Sequence, residues 1–375
     1  MALHLYWFIP GHGDGRDVAR DGAANVRRDP DAGYLAQVAR AAEQAGFTGA
    51  LVPFGLFCED PWLVAAALSR ETARLRFMVA FRPGAASPTL TAQMAATCQR
   101  LTGGRLLLNV VSGGDPEELR RYGDHLGHDE RYARAGEFLS VLRGAWTGSV
   151  DHEGEHYRVS GATVIRRPDP LPPIFLGGSS EPAMRTAIRH ADVYLAWGEP
   201  PDRMAAQVAR VRAEAAAAGR VLPFGTRMHV ISRDTAAQAW AEADRIVAGM
   251  SAGLVERSQR RFAASDSEGQ RRMAALHGGS RDGLEVHPNV WTGYGLGRQG
   301  PAVALVGSHE EVADRIAEYH ELGVEHLILS AQPHLEEAYR LGEGLMPHLR
   351  RRGVLAAPED DIAPARPPLA AGTLR

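Results

Sequence analysis

No lysine occurs in the 375 residues, so arginine fills all 42 positions counted as lysine or arginine. Without a lysine amine the chain cannot form a Schiff base, and it cannot supply the lysine of a phosphate-binding P-loop. Cysteine is nearly absent as well. Because Cys58 and Cys98 form neither a CxxC motif nor a disulfide framework, we expect neither a dithiol centre nor a disulfide scaffold.

Strong net charge and long apolar runs are also missing. The formal net charge is only -3, and no basic block is interleaved with aromatic residues, so we expect no binding to nucleic acid or to a membrane surface. No apolar run reaches membrane-spanning length, and residues 1–15 have the pattern of a strand rather than of a signal peptide. We therefore expect a cytoplasmic protein with a small-molecule partner.

Strand patterns and helix patterns alternate through most of the chain, and a hydrophobic content of 45% is ample for a core. The predicted strands, each followed by a predicted helix, are 3–9, 48–52, 76–81, 106–111, 174–176, 192–196, 224–232 and 326–330. Repeated βα units form parallel sheets, and eight such units close a barrel. The pattern therefore predicts a TIM (β/α)8 barrel with insertions.

Three segments depart from this alternation. Residues 149–159 have the pattern of a polar hairpin added to a loop. The stretch 251–302, before the last predicted strand, is rich in charge and glycine, and we expect it to be a lid over the barrel mouth or disordered surface. Residues 356–375 lack hydrophobic periodicity and are expected to be an extended or disordered tail, which leaves 1–355 as one barrel domain.

One predicted strand, 224–232, carries two polar side chains on a single face. Arg227 and His229 share that face with Ile231, and burying them among apolar neighbours is unfavourable unless a partner lies opposite. From these residues alone two interpretations stay open. The pair is either a structural ion pair in a large core or part of a site for an anionic or polar ligand.

Glycine and serine are concentrated where predicted strands end, which is where barrel enzymes carry their active sites. Residues 177–180 (GGSS) open a predicted helix and offer free backbone N–H groups, two hydroxyls and the positive end of the helix dipole. Residues 112–115 (SGGD) follow another predicted strand. Either turn alone is explained by chain geometry, but together they predict a ligand that carries phosphate.

Other motifs are weaker. Residues 295–300 (GLGRQG) match GxGxxG without opening a helix, so we interpret them as a lid segment in which Arg298 is the residue of interest. A metal centre at His12 would need a second histidine two positions later, where the chain has Asp14, so no metal is expected. Cys58, at a strand–loop junction, is a candidate ligand contact.

His125 and His128 fall in a predicted loop. No carboxylates or thiolates converge on them in the sequence pattern, so we expect a surface role for both rather than a ligand pair. Cys98 is expected to be a buried residue of a helix.

Residues 3 to about 350 resemble the FMNH2-dependent alkanesulfonate monooxygenases, a family of the bacterial luciferase-like superfamily. The resemblance lies in an ordered series of motifs rather than in any single one. These motifs are WFIPGHGDG (7–15), CEDPWLVAAAL (58–68), SPT (87–89), VVSGGDPEE (110–118), HDERY (128–132), PIFLGGSS (173–180), VYLAWGEPP (193–201), FGTRMHVI (224–231), DSEGQRRMAALH (266–277), ALVG (304–307) and PHLEEAYR (333–340).

The resemblance implies a TIM barrel that receives reduced FMN from a separate NAD(P)H-dependent FMN reductase. It implies O2 as co-substrate and cleavage of a carbon–sulfur bond to an aldehyde and sulfite, a reaction of sulfur metabolism. It also implies a homodimer or homotetramer. By motif match, the substrate and peroxyflavin positions are His12, Trp197, Arg227, His229 and Arg298, and the FMN-contacting positions are Ser112, Tyr132, Gly178, Ser179 and Ser180.

The chain departs from the family pattern at two places. Gln332 stands where the family commonly has an active-site tyrosine, which removes a possible proton donor. FGLFCED (54–60) falls on the expected substrate pocket, to which we assign Phe54, Leu56, Phe57 and Cys58 together with His12. In this segment Phe54, Leu56 and Phe57 replace small, cationic and hydroxyl residues of the family pattern, which removes an anion contact. The expected substrate is therefore a larger, more apolar or differently functionalised sulfonate rather than a short alkanesulfonate.

Three alternative functions remain open. The same flavin chemistry could act on another bond, through sulfone cleavage, N-hydroxylation or ketone oxygenation. A deazaflavin-dependent dehydrogenase could use the same barrel without O2. A non-catalytic flavin-binding protein is the third alternative, although it would have no use for the polar, lidded pocket expected around Arg227 and Arg298. The chain lacks a credible dinucleotide fingerprint, which favours an external reductase over direct use of a nicotinamide.

Overall fold

A computed structural model of the chain describes residues 2–17 and 28–356. The strands, in chain order, are β1 (His4–Phe8), β2 (Gly49–Val52), β3 (Arg76–Phe81), β4 (Leu106–Val110), β5 (Val150–Glu153), β6 (Arg158–Ala162), β7 (Ile174–Gly177), β8 (Val193–Trp197), β9 (Phe224–Arg233), β10 (Glu285–His287), β11 (Val290–Trp291), β12 (Ala304–Ser308) and β13 (Val324–Ser330).

The helices are α1 (Ala32–Ala45), α2 (Pro61–Leu68), α3 (Pro88–Leu101), α4 (Pro116–Arg121), α5 (His128–Thr147), α6 (Glu181–His190), α7 (Pro201–Ala217), α8 (Ala236–Ala248), α9 (Ala252–Ala263), α10 (Glu268–His277), α11 (His309–Glu321), α12 (His334–Arg340) and α13 (Met346–Arg351). A 3₁₀ turn spans Gly293–Leu296, and a π-helical turn, Leu341–Leu345, joins the last two helices.

Eight parallel strands form a closed barrel within the described residues. Their order is β9, β13, β1, β2, β3, β4, β7, β8, and pairing of β8 with β9 completes the ring. Each predicted strand overlaps one of these eight, and the predicted TIM barrel is confirmed. Because all eight strands are parallel, their carboxyl ends meet at one mouth, where the loops that follow them converge.

The segment between β9 and β13 contains more structure than the sequence pattern indicated. β12 pairs in parallel with the carboxyl-terminal half of β9, from His229 to Arg233, and α11 follows it. The prediction counted neither element, because a five-residue apolar run after Pro301 does not by itself distinguish a strand from a buried loop. β9 therefore continues past the barrel rim, where β12 covers it.

The insertion 251–302 is built from regular elements within that same connection. It holds α9, α10, the antiparallel pair β10 and β11, and the 3₁₀ turn. Its side chains share a small core with β9 and α8, in which Ile231, Trp291 and Tyr294 are buried. The insertion is thus packed onto the outer part of β9 rather than left as irregular surface.

The predicted hairpin is present as β5 and β6, which pair with each other outside the barrel. The Glu137 carboxylate of α5 fixes the turn of this hairpin. It accepts hydrogen bonds from the backbone N–H groups of Glu155, His156 and Tyr157, each with a donor–acceptor distance of 3.0 Å. The expected tail, 356–375, lies outside the described residues except for Ala356. No helix in the described ranges combines the length and apolarity needed to cross a bilayer.

Side chains fill the barrel interior. Tyr6 and Phe175 pack edge to face with ring centroids 6.1 Å apart. The Tyr6 hydroxyl is hydrogen bonded to His326 Nδ1 over 2.9 Å, and the rings of His326 and His4 stack 4.9 Å apart. Burial holds the pKa of His326 well below its usual range, so this ring is neutral near pH 7.

A buried ion pair lies at the amino-terminal end of the barrel. Arg143 of α5 donates from Nη2 to Asp192 Oδ2 over 2.6 Å and to the His190 carbonyl over 2.9 Å. The same Asp192 oxygen accepts the N–H of Ile174 over 2.8 Å. Arg143 is 3% exposed and Asp192 7%, so each charge depends on the other for compensation.

Candidate active site

A cavity of about 410 Å³ opens at the carboxyl-terminal mouth of the barrel. Its walls are the loops after β4, β7 and β8, residues of β9, and the insertion. The structure brings most of the predicted site residues together around it. The predicted residues that line it are Ser112, Tyr132, Gly178, Ser179, Ser180, Trp197, Arg227 and Arg298.

The GGSS turn between β7 and α6 forms one wall and excludes side chains at its first two positions. A Cβ on Gly177 would overlap the carbonyl oxygen of Leu195. Gly178 has a φ of +139°, and a Cβ on it would lie 2.7 Å from the Tyr132 hydroxyl oxygen. Ser180 then caps α6. Backbone and hydroxyl groups therefore face the cavity at the positive end of a helix, an arrangement suited to a phosphate.

Tyr132, in the second turn of α5, lies against this turn. Its hydroxyl donates weakly to the Gly177 carbonyl over 3.5 Å, and the side chains of Ser112 and Ser180 lie beside it. Burial raises the pKa of Tyr132, so the phenol keeps its proton at neutral pH. It remains available as a hydrogen-bond donor to a ligand oxygen.

The SGGD loop after β4 forms the adjoining wall. Gly113 has a φ of +80°, and a Cβ there would lie 2.9 Å from Leu119 Cδ2 of α4, so only glycine fits. Asn109, inside β4, also lines the cavity and is 9% exposed. The two glycine-containing turns thus face the same space, as their shared chemistry predicted.

Arg227 projects from β9 over the Phe8 ring, with Cζ 4.4 Å from the ring centroid. Its Nε and Nη2 atoms are buried and have no hydrogen-bond partner in the described residues. Burial, reinforced by the positive charge of Arg298, lowers the pKa of Arg227, but a guanidinium stays protonated at neutral pH. Two cations that adjoin each other without a neutralising group favour a negative ligand in the space they face.

Arg298 and His229 are in direct contact. Arg298 Nη1 lies 2.9 Å from His229 Nε2, and the other ring nitrogen, Nδ1, lies 2.9 Å from Ser330 Oγ. Burial first, and then the charges of Arg298 and Arg227, holds the pKa of His229 well below its usual range. His229 is 1% exposed and does not line the cavity, whereas both arginines do.

His12 lies at the mouth, outside the cavity lining. Loss of solvation, followed by the charges of His334 and Arg298, lowers the pKa of His12 to about 4, although part of its surface remains exposed. Asp14, two positions later, accepts hydrogen bonds from the backbone N–H of His334 over 2.7 Å and from the Tyr34 hydroxyl. Asp14 therefore ties the first loop to α12 and is not free to hold a ligand.

The loop after β2 places the predicted substrate-pocket residues beside the mouth rather than in the cavity wall. Phe57 is 74% exposed and Leu56 37% exposed. The Phe54 ring is 5.4 Å from the Tyr122 ring. Burial, followed by the charge of Glu118, raises the pKa of Cys58 to about 11, so its thiol is protonated at neutral pH. Leu56 and Phe57 therefore expose apolar surface in the loop of Cys58, whose thiol is close enough to Arg227 and Arg298 for their charges to act on it.

Trp197 and Gln332 lie at the ends of different strands of the barrel, and only Trp197 lines the cavity. Trp197, the last residue of β8, is the register partner of Arg227 and lines the cavity. It packs so closely on α10 that a Cβ on Gly269 would lie 3.1 Å from its ring. Gln332 lies outside the cavity lining, and its Oε1 is buried without a partner in the described residues.

Ion pairs attach the insertion to α5 and to the SGGD loop. Arg131 of α5, 2% exposed, donates to Asp266 over 2.7 Å. Arg261 of α9 donates to Asp115 of the SGGD loop over 2.9 Å. Because these pairs join the insertion to α5 and to the SGGD loop, which lines the cavity, the insertion covers that side of the mouth.

Several lining residues were not predicted. The side chain of His128, expected to have a surface role, is only 21% exposed and lines the cavity because α5 begins at the mouth. Asn109 lies within an apolar strand pattern, and Ser265 and Gln270 come from the insertion. A polar residue inside a strand that ends at the mouth was the available signal for Asn109. No cluster of three or more metal-ligating side chains occurs in the described part of the chain.

Comparisons with known proteins agree with this geometry. Residues 3–326 match the family model described as luciferase-like monooxygenase. A crystal structure of riboflavin lyase with modified FMN and substrate riboflavin has a TM-score of 0.80 and 23% identity, covering 97% of this chain and 94% of that chain.

Two further solved structures share the fold. EDTA monooxygenase from Chelativorans sp. BNC1 has a TM-score of 0.75 and 20% identity, covering 95% of both chains. DmoA from Hyphomicrobium sulfonivorans has a TM-score of 0.76 and 20% identity, covering 99% of this chain and 93% of that chain. Coenzyme F420-dependent oxidoreductases share the fold at a TM-score of 0.66. Identities this low establish the architecture and not the substrate.

Proposed function

The chain belongs to the luciferase-like monooxygenase family, and we propose that it is a two-component, FMN-dependent monooxygenase of organosulfonates. In the proposed reaction an organosulfonate, reduced FMN and O2 give an aldehyde, sulfite, oxidised FMN and water. One oxygen atom enters the aldehyde as the carbon–sulfur bond breaks, and the other leaves as water. The two electrons come from reduced FMN, which a separate NAD(P)H-dependent reductase supplies.

The cofactor proposal is supported by a cradle that only backbone can form. Gly178 leaves no room for a Cβ beside Tyr132, and the hydroxyls of Ser179 and Ser180 follow at the start of α6. We expect these residues, with Ser112, to hold the FMN phosphate by N–H and O–H donation. When bound, reduced FMN supplies the electrons that activate O2.

The observation that carries the substrate proposal is the unpaired guanidinium of Arg227. Its buried Nε and Nη2 need acceptors, and Arg298 adjoins it without a carboxylate within ion-pair distance in the described residues. A sulfonate offers three oxygen acceptors and one negative charge, so it can bridge both arginines through charge-assisted hydrogen bonds. The sulfonate would thereby be held with its carbon substituent toward the mouth.

The shape of the mouth favours a substrate with an apolar portion. Leu56 and Phe57 expose apolar surface beside the arginines instead of a cation and a hydroxyl. The amide of Gln332 has no acidic proton to transfer, unlike a tyrosine phenol, and the Cys58 thiol stays neutral. Neither side chain therefore adds a charge beside this apolar surface. We therefore expect a long-chain or aromatic sulfonate to be preferred over methanesulfonate or ethanesulfonate.

We also propose that the insertion 251–302 works as a lid. It carries Arg298 to the cavity and packs Gly269 against Trp197, and an ion pair holds it to the SGGD loop. Closure would exclude water, which otherwise diverts reduced flavin and O2 to hydrogen peroxide.

An anaerobic titration tests the cofactor proposal. Reduced FMN, oxidised FMN and coenzyme F420 would each be titrated into the protein and followed by intrinsic fluorescence. Tight binding of reduced FMN with weak binding of the other two supports the proposal. A preference for coenzyme F420 would instead support the second candidate, a deazaflavin-dependent dehydrogenase, which the F420-dependent enzymes of the same fold favour.

A coupled assay tests the substrate proposal. Sulfite release from 1-decanesulfonate and ethanesulfonate would be measured with an added FMN reductase and NADH, with the Arg227→Met variant as control. We expect faster release from decanesulfonate and little release by the variant. Sulfite release that prefers ethanesulfonate contradicts the proposed chain-length preference, and oxygen consumption without sulfite redirects the search to another bond.

Two partner proposals accompany this function. The reductase would deliver reduced FMN either by diffusion or in a complex, which sedimentation of the mixed proteins would distinguish. We also propose a homodimer or homotetramer, and the apolar side chain of Leu63 on α2, 73% exposed, is one surface that association would cover. Light scattering of the purified chain measures its mass directly.

A further inference from the structure

His229 was expected to act on the substrate, but both of its ring nitrogens are engaged by protein groups. Nε2 faces Arg298 Nη1 and Nδ1 faces Ser330 Oγ, each over 2.9 Å. His229 also stands behind the cavity wall, with 1% of its surface exposed. With this arrangement of the mouth, no nitrogen of His229 is available to a substrate.

The identity of the two partners determines which nitrogen carries the proton. A guanidinium only donates hydrogen bonds, so Nε2 must accept from Arg298 and cannot itself be protonated. The proton of a neutral imidazole then resides on Nδ1, which donates to Ser330 Oγ. The Arg298 guanidinium therefore selects this tautomer of His229, and Ser330, 2% exposed at the end of β13, supplies the acceptor for the Nδ1 proton.

The ring is held in place independently of these two bonds. The backbone N–H of His229 donates to the Val303 carbonyl over 2.8 Å, and its ring packs on the Tyr294 ring with centroids 4.3 Å apart. Tyr294 belongs to the 3₁₀ turn just before Arg298, and its carbonyl accepts the Arg298 N–H over 3.0 Å. The imidazole therefore contacts the arginine segment through both a ring face and a nitrogen.

We propose that Ser330 and His229 are positioning residues: Ser330 accepts the hydrogen bond from Nδ1 and thereby orients the His229 ring, and Nε2 then holds the Arg298 guanidinium toward the cavity. The basic side chains that face the ring are those of Arg298, Arg227 and His334. A protonated imidazole would repel Arg298, so only the neutral ring with its lone pair on Nε2 can perform this role. These hydrogen bonds do not depend on which reaction the chain performs, but their effect on catalysis rests on the proposed function.

The chain contains a matched control for this pair. Ser232 is fully buried and lies on β9, the strand that carries His229. Its Oγ is 2.7 Å from Nδ1 of His309, the first residue of α11, and neither residue lines the cavity. Ser232→Ala therefore removes the same kind of serine–histidine hydrogen bond from the same region of the fold. Any effect of Ser330→Ala that Ser232→Ala reproduces is a general effect of losing a buried hydroxyl.

The decisive measurement is nitrogen NMR of protein labelled with ¹⁵N-histidine, with the His229 signals assigned from the His229→Gln variant. We expect a protonated, pyrrole-like Nδ1 and an unprotonated, pyridine-like Nε2 in the wild type at neutral pH. In Ser330→Ala the Nδ1 signal should shift because the Nδ1 proton has lost its acceptor, while Nε2 stays pyridine-like, and in Ser232→Ala neither signal should change. A wild type with protonated Nε2 overturns the inference whatever the enzymatic activity.

Hydrogen exchange of the segment 293–299 provides the second readout. Loss of one neutral hydrogen bond, about 1 kcal/mol, should speed exchange there roughly 5-fold in Ser330→Ala. Ser232→Ala should leave this segment as in the wild type. Equal exchange in both variants would show that Ser330 does not act on the arginine segment.

Two substitutions of the histidine separate its nitrogens. Glutamine can place an acceptor near the Nε2 position, whereas asparagine reaches only the Nδ1 position. We expect His229→Gln to keep the KM for decanesulfonate within about 3-fold of the wild-type value. His229→Asn should raise this KM by about 10-fold, which is the effect of losing a hydrogen bond to a charged group. In both variants kcat should change less than KM. Equal effects of the two variants contradict the proposed role of Nε2.

These readouts distinguish the inference from the proposed function. If NMR shows the Nδ1–H tautomer but no sulfonate is oxidised, the positioning pair stands and the sulfonate proposal falls. If decanesulfonate is oxidised but Nε2 is protonated, the function stands and the positioning pair falls.

Discussion

The two ends of the barrel both bury arginine, but they differ in how they compensate its charge. At the amino-terminal end Arg143 has a carboxylate, Asp192, and a carbonyl as acceptors. At the carboxyl-terminal mouth Arg227 has buried N–H groups that find no acceptor among the described residues, and the Arg298 side chain is hydrogen bonded to a neutral histidine. The first arrangement serves the fold, whereas the second lowers stability and is explained by a ligand that completes it.

The largest expected effect comes from breaking the compensated end. Asp192→Ala leaves Arg143 buried without its carboxylate, so we expect the free energy of unfolding to fall by about 3–5 kcal/mol. Urea denaturation followed by circular dichroism measures this loss. Glu181→Ala, which removes an exposed partner of Arg185, is the control and should cost at most about 1 kcal/mol. Equal losses in the two variants would show that burial does not set the difference.

The opposite outcome is expected at the mouth. Arg227→Met removes a buried, unpaired cation, so the free energy of unfolding should stay the same or rise. Sulfonate turnover should fall by about 10²–10³-fold, the range found when one charge-stabilising donor is removed. Denaturation and sulfite release on the same preparation measure both quantities. A less stable but fully active variant would remove the distinction between the two ends.

Two glycines provide a second comparison between the two ends of the barrel. Gly178 at the mouth and Gly219 at the amino-terminal side both have positive φ, but only at Gly178 would a Cβ meet other atoms. Strain of about 1–3 kcal/mol in Gly178→Ala should weaken reduced FMN binding by about 10-fold or more. Gly219→Ala should cost about 1 kcal/mol of stability and leave FMN binding unchanged. Unaltered FMN affinity in Gly178→Ala would contradict the assigned phosphate cradle.

The smallest expected effect concerns pH at the amino-terminal end. The folded-state pKa of His326 is depressed by burial, so its contribution to stability is fully present above about pH 6.5 and is lost as the pH falls below that value. His326→Phe should reduce the slope of unfolding free energy against pH by up to about 1.4 kcal/mol per unit between pH 6.5 and 5. Denaturation at several pH values measures the slope, and an unchanged slope would assign the pH dependence to other histidines.

Sequence periodicity predicted the eight barrel strands because apolar runs separated by amphipathic helices specify parallel βα units. The two glycine–serine turns were also predictable, since their chemistry is local to a few consecutive residues. β12 and α11 were not counted, because a short apolar run has no pattern of its own and acquires its partner, β9, only in the fold.

The position of individual site residues was harder to predict. Arg227 and His229 share a strand face, yet only Arg227 lines the cavity, because Arg298, from a distant segment, stands between His229 and the open space. Phe57 was placed in the substrate pocket by motif match, and the structure leaves it largely exposed at the rim. Such differences depend on packing between segments far apart in sequence, which periodicity does not encode.

The two ion pairs that fasten the insertion differ in exposure, and this has a consequence for ionic strength. Arg131 in the Arg131–Asp266 pair is shielded from solvent, whereas the guanidinium in the Arg261–Asp115 pair is 60% exposed. Dissolved salt screens exposed charges far more than shielded ones. If the insertion must loosen for the proposed FMN to enter and leave, exchange of the flavin should become faster in concentrated salt. The proposed supply of reduced FMN by a separate reductase would then vary with the ionic composition of the surroundings.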